Sequence, residues 1–71
     1  MAKVAVIGEE PRVVGFGLAG ALVLPADGSE AVRAAWRSLD DDVAVVVLTE
    51  RAARFLREET SSWPLRVVMP P

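Results

Sequence analysis

The sequence predicts an α/β fold: one domain over residues 1–71, with element order βαβαβαβ around a four-stranded parallel sheet. Three observations predict it. Four apolar runs of strand length, at 3–7, 21–24, 43–48 and 65–69, alternate with three stretches that carry helix signals. The third run, Val43-Ala44-Val45-Val46-Val47-Leu48, has no polar residue in it. Valine is stiff at χ1 and suits a pleated surface. A strand with one wet face would alternate, so both faces of this one are expected to be covered, as in the middle of a parallel sheet packed with helices. Thr49-Glu50 follows at once, a cap and a first-turn acid for a helix. Strand, turn and capped helix make one half of a βαβ unit.

The other elements follow in order. Lys3 to Ile7 is the first strand, ended by Gly8. Glu9-Glu10-Pro11 opens the first helix, because proline is tolerated in a first turn and acids suit its positive end. Val13, Val14, Phe16 and Leu18 supply its apolar face, and Gly20 its C-terminal cap. Gly15 and Gly17 weaken it by up to about 1 kcal/mol each relative to alanine. Residues 21–24 are the second strand, closed by Pro25. Asp27-Gly28-Ser29-Glu30 fits a capping box with Asp27 as the cap and Ser29 as the alternative. Val32, Ala35, Trp36 and Leu39 recur at i, i+3, i+4 and i+7, an amphipathic helix.

Asp40-Asp41-Asp42 turns the chain into the central strand. The third helix runs from Thr49 to about Thr60, with Ala52, Phe55 and Leu56 inward and Glu50–Arg54 as an i, i+4 pair. A loop over 61–64 leads to the last strand, which Pro70-Pro71 stops. Short connections and right-handed crossovers then order the strands 2-1-3-4, the flavodoxin-like arrangement, with helices on both faces. Nothing helical follows the last strand. Part of one sheet face is therefore expected to lie uncovered, either as an interface, self-association included, or as the scar of a truncation.

Composition removes several function classes. Eight Lys and Arg stand against ten Asp and Glu, with no basic cluster, so nucleic acid has no electrostatic footprint to meet. Cysteine is absent, which excludes disulfides, thiolate catalysis and cysteine metal sites. Histidine is absent too, and with it the commonest general base and zinc ligand. No apolar run approaches the roughly 18 residues of a membrane span. Met1-Ala2-Lys3 enters the first strand without a signal-peptide pattern, so the expected place is the cytoplasm, membrane-associated only through a complex. Hydrophobic residues make up 52%, high enough in a chain this small to suggest burial by a partner.

The chemical motifs are thin. Gly15-Phe16-Gly17-Leu18-Ala19-Gly20 matches G-x-G-x-x-G, but a dinucleotide site needs those glycines directly after the strand, and Gly15 lies seven residues beyond Gly8. A glycine-rich helix packed closely on its neighbour accounts for it. Three adjacent aspartates cannot converge on one cation, so Asp40, Asp41 and Asp42 read as a solvated turn. Glu9 and Glu10 after the first strand suggest a receiver-like phosphorylation domain. The third strand ends in Leu48-Thr49-Glu50, however, with no acceptor aspartate, and Lys3 is the single lysine. Dipole complement at two helix starts accounts for Glu9, Glu10 and Glu50. No catalytic residue, cofactor or metal is expected. Trp36 reads as core, and Trp63, in Ser-Ser-Trp-Pro, as an aromatic without a core slot and a candidate for an interface.

Val4-Ala5-Val6-Ile7-Gly8-Glu9-Glu10, Val14-Gly15-Phe16-Gly17-Leu18-Ala19-Gly20, the run from Val45 through Thr49-Glu50-Arg51-Ala52-Ala53, and the closing Pro64-Leu65 to Met69-Pro70 together resemble the F subunit of the V/A-type rotary ATPases. The resemblance covers almost the whole chain. It implies a non-catalytic subunit of the central rotor stalk. Such a subunit binds the long coiled-coil D subunit and contributes to coupling or regulation of ATP turnover with ion transport. Two positions depart from the family: Gly17 stands where a larger, often basic residue is common, and the family's mobile C-terminal helix has no counterpart before Pro71. Placement suggests docking through the first helix and the loops at the carboxyl edge of the sheet, with Glu9, Arg12, Phe16, Glu50 and Arg51 as interface residues, and Trp63 is a separate interface candidate. The alternative is a degenerate receiver-like or small-ligand-binding regulatory domain.

Overall fold

The computed structural model describes residues 3–13, 20–59 and 63–70, apart from the side chain of Arg12. Seven elements follow one another: β1 (Lys3–Gly8), α1 (Glu10–Val13), β2 (Leu22–Pro25), α2 (Ser29–Arg37), β3 (Val43–Leu48), α3 (Glu50–Phe55) and β4 (Leu65–Val68). The strands form one parallel sheet in the order β2-β1-β3-β4. This is the arrangement that the alternation of apolar runs and helix signals predicts.

Register divides the side chains between two layers. Ala5 and Ile7 of β1 align with Val46 and Leu48 of β3. These four are buried with Val32 of α2 and with Ala52 and Leu56 at α3 in the main core. Full burial of a Val, Leu or Ile side chain contributes about 1.5–3 kcal/mol, so this layer carries most of the stability. The opposite face has a smaller core of Val6, Met69 and Val13, the last residue of α1, with Val23 and Val47 packed beside it. Helix α1 lies over β1 and β2. The valine run in β3 is thus fully covered on the α2/α3 side only. Val45 and Val47 are half-buried, because no described helix lies over β3 and β4 on the α1 side.

Two local expectations need correction, and a third falls outside the described residues. The capping box does not form: α2 starts at Ser29 behind Gly28, which has φ 91° and provides no side-chain cap. That angle lies in the region favouring glycine. The Gly28 carbonyl still accepts from Val32 N–H at 3.1 Å, while the Asp27 carboxylate turns out to Arg51, 3.7 Å away. Helix α3 stops at Phe55 instead of reaching Thr60, with Leu56 as its C-cap. Glu58 and Glu59 would sit at the negative end of the dipole, and Arg66 Nη1 instead donates to the Leu56 carbonyl at 3.3 Å. Helix α1 is described only to Val13. The expected glycine-rich continuation at 14–19 lies outside the described residues.

Trp36 is half-buried against the main core, and the Arg66 guanidinium sits over its ring, 5.4 Å from the centroid. At the amino edge of the sheet, Lys3 Nζ and Asp42 Oδ2 pair at 3.0 Å. Their hydrogen bond lowers the Asp42 pKa and raises that of Lys3. A lowered carboxylate contributes stability above its ordinary pKa near 3.8 and loses it as pH falls through the folded value. Asp42→Asn is therefore expected to leave the melting temperature at pH 7 within a degree or two, the pair being exposed, and to flatten its fall below about pH 4. Thermal melts of both proteins from pH 7 to pH 3 check this.

Candidate interaction surface

In a parallel sheet the loops that leave the strands gather at one edge. Here the two central loops, Gly8-Glu9 after β1 and Thr49-Glu50 after β3, lie side by side. Order 2-1-3-4 makes this the point where the connections diverge to opposite faces.

Thr49 fills that point. It is fully buried. Its hydroxyl donates to Glu9 Oε1 and accepts from Ala52 N–H at 3.2 Å, so one side chain caps α3 and holds the entry to α1. Its own N–H donates to the Ile7 carbonyl at 3.2 Å. The neighbouring loops are tied in the same way: Ala26 N–H donates to Gly8 O, and Met69 N–H to Leu48 O, both at 2.8 Å. Gly8 has no room for a side chain, since a Cβ there would stand 2.2 Å from Thr49 Cγ2. Protein atoms thus occupy the crevice in which α/β proteins of this topology hold small ligands.

Around this plug the carboxyl edge carries charge. Glu50 and Arg51 are exposed and Glu9 is half-buried. Glu50 pairs with Arg54 at 3.4 Å along α3, and Arg51 with Asp27. The structure therefore brings Glu9, Glu50 and Arg51 together at one edge. Trp63 is not among them. It precedes β4 and so belongs to the amino edge, where it is 56% exposed. The backbone of Arg12 is in α1, and Phe16 lies outside the described residues.

The described residues include no group of three or more acidic side chains placed to hold a metal ion. None of the described helices is long and apolar enough to cross a membrane. A shallow concavity lined by Glu30, Arg33, Ala34 and Arg37 lies along the exposed side of α2, with no convergence of polar groups on a ligand. A further feature is visible in the sequence only in outline. Val4, Leu65 and Val67 are exposed on the α1 side of the sheet, and Val45 and Val47 of β3 between them are half-buried.

Comparison with known proteins agrees with this architecture. The F subunit of the V-type ATP synthase from Archaeoglobus fulgidus has a similar crystal structure, with TM-score 0.67 and 24% identity over 97% of this chain and 98% of that one. At that identity the likeness speaks for the fold. No curated protein gives a significant match. A family model described as ATP synthase (F/14-kDa) subunit matches residues 4–70. With the matching sheet order and nearly the whole length covered, the chain belongs to the ATP synthase (F/14-kDa) subunit family.

Proposed function

We propose that this chain is a non-catalytic subunit of the central stalk of a V/A-type rotary ATPase, bound to the coiled-coil D subunit of the stalk and contributing to coupling or regulation of ATP turnover with ion transport. The observation that carries this reading is the family match across residues 4–70, joined to a switch point plugged by Thr49 and Glu9. A domain that turned over a small substrate would need that crevice open and lined with acid–base groups. What remains available to a partner is surface: the charged carboxyl edge and the exposed apolar side chains. Its place is then cytoplasmic, against the membrane only through the complex. A receiver-like or ligand-binding role has no specific feature of the structure in its favour.

The test is co-purification with the coiled-coil subunit from the same source, scored by size exclusion. A stable one-to-one complex is expected. Alanine variants of Glu9, Arg12, Phe16, Glu50, Arg51 and Trp63 then locate the contact. Loss of tenfold or more in affinity in at least one of them is expected, about 1.4 kcal/mol. Unchanged binding in all six would remove these residues from the interface.

A further inference from the structure

We propose that Thr49 is a positioning residue for the docking edge: its hydrogen bond to Glu9 joins the entries of α1 and α3 into one unit, so that the contacts a partner makes on the two loops are energetically coupled. This rests on the stalk-docking reading and adds how the edge meets the coiled-coil subunit.

Two helices on opposite faces of the sheet start from residues that touch. The Glu9 carbonyl accepts from Val13 N–H at 3.2 Å at the entry to α1, and the Thr49 carbonyl accepts from Ala53 N–H at 2.9 Å at the entry to α3. Val13 packs in the smaller core and Ala52 in the main one, so the helices run off to different layers. The side chains of the same two starting residues join across the edge, Thr49 Oγ1 donating to Glu9 Oε1.

Chemistry makes the joint directional. A hydroxyl has one proton and an ionised carboxylate only accepts, so the proton lies on the Glu9 side and a lone pair faces Ala52 N–H, 3.2 Å away. Each bond polarises the hydroxyl in the sense that favours the other. Thr49 is fully buried, and Glu9 is the one acceptor that its hydroxyl proton reaches among the described residues. Without Glu9 that proton is left unpaired in a buried site, and the side chain turns at the expense of the α3 cap. Gly8 backs Thr49 closely, so a β-branched side chain has little room to absorb a shift of Glu9. Glu50 and Arg51 follow Thr49 directly, and both are exposed on the first turn of α3. A partner that moves Glu9 therefore moves the surface that Glu50 and Arg51 present, and the reverse.

The first test is amide exchange of the free chain, followed by NMR. The Ala52 amide reads the α3 cap, and the Val32 amide, bonded to Gly28 O in α2, is the internal reference for global opening. Glu9→Ala is expected to raise the Ala52 rate relative to Val32 at least fivefold. Glu9→Gln, which keeps an acceptor oxygen, and Glu10→Ala, which removes an exposed acid at the next residue, are expected to stay within twofold. No change in Glu9→Ala, or an equal rise in Glu10→Ala, would overturn the link. Should Glu9→Ala fail to fold, Thr49→Val reads the link from its other end. A fivefold relative rise at the Val13 amide is expected there, and an unchanged rate would overturn it.

Calorimetry of the full chain with the coiled-coil subunit then reads the coupling. The loss of affinity in the double variant Glu9→Ala with Arg51→Ala is expected to differ at least threefold from the product of the two single losses. A match to that product would overturn the proposal and leave stalk docking standing. If the wild-type chain ignores the coiled-coil subunit, the stalk reading fails by itself, and the exchange rates alone decide whether the two helix entries are joined.

Discussion

Gly8→Ala is expected to destabilise the domain by about 3 kcal/mol, at the upper end of the usual cost of overpacking. The new methyl group would stand 2.2 Å from Thr49 Cγ2, 2.6 Å from Oγ1 and 2.9 Å from Cβ. None of these is the loose end of a flexible chain. Thr49 is β-branched, fully buried and held by two side-chain hydrogen bonds. Rotating it away would uncap α3 and release Glu9. A domain of this size has roughly 4–10 kcal/mol in total, so the variant should unfold at a much lower urea concentration. A double-mutant cycle locates the strain. Thr49→Ala alone should cost about 1 kcal/mol as a lost cap and hydrogen bond, and less than that in the Gly8→Ala background, where it relieves the clash. Strictly additive costs would place the strain somewhere other than this contact.

Ile7→Ala is the second large effect, about 3–4 kcal/mol. Ile7 has no exposed surface, and it aligns with Leu24 of β2 on one side and Leu48 of β3 on the other. It therefore stands in the middle of the main core, where rigid backbone on both flanks keeps the site from collapsing after truncation. Ile7→Val should cost only about 1 kcal/mol, and Val67→Ala, with half its surface already in water, well under the Ile7→Ala value. Urea titrations with a common slope test the order. A Val67→Ala cost equal to that of Ile7→Ala would mean that the α1 side is packed in solution.

Both effects involve features that the sequence makes legible in part. The strand over 43–48 is legible because four valines without polar alternation leave few other solutions. The helix carrying Val32, Ala35 and Trp36 is legible from its period, and the Thr49 cap from its position after a strand. The capping box fails because Gly28 takes a positive φ that redirects Asp27 to Arg51, a contact between segments distant in sequence. The expected end of α3 fails for a similar reason, since Arg66 answers the Leu56 carbonyl from another element.

For the interaction surface, Glu9, Glu50 and Arg51 come together as expected because loops after parallel strands share an edge. Trp63, an interface candidate for its lack of a core slot, enters β4 from the opposite edge, and no local pattern in the sequence says which edge it joins. Which residues line the open half-face is out of its reach. In an apolar run such as Leu65-Arg66-Val67-Val68, only the register with β3 tells which side chain faces which layer.

The two outer strands have a consequence for assembly. β2 and β4 are each four residues long, β2 ends in Pro25, and β4 lies between Pro64 and Pro70. Proline has no N–H to offer an incoming strand, and a ladder four residues long gains little against the entropy of ordering it. Sheets of neighbouring copies therefore have poor ends from which to grow into a fibril. A protein that shows this much valine and leucine to water can wait for its partner without polymerising, because its sticky surface is a face and its edges are blunt.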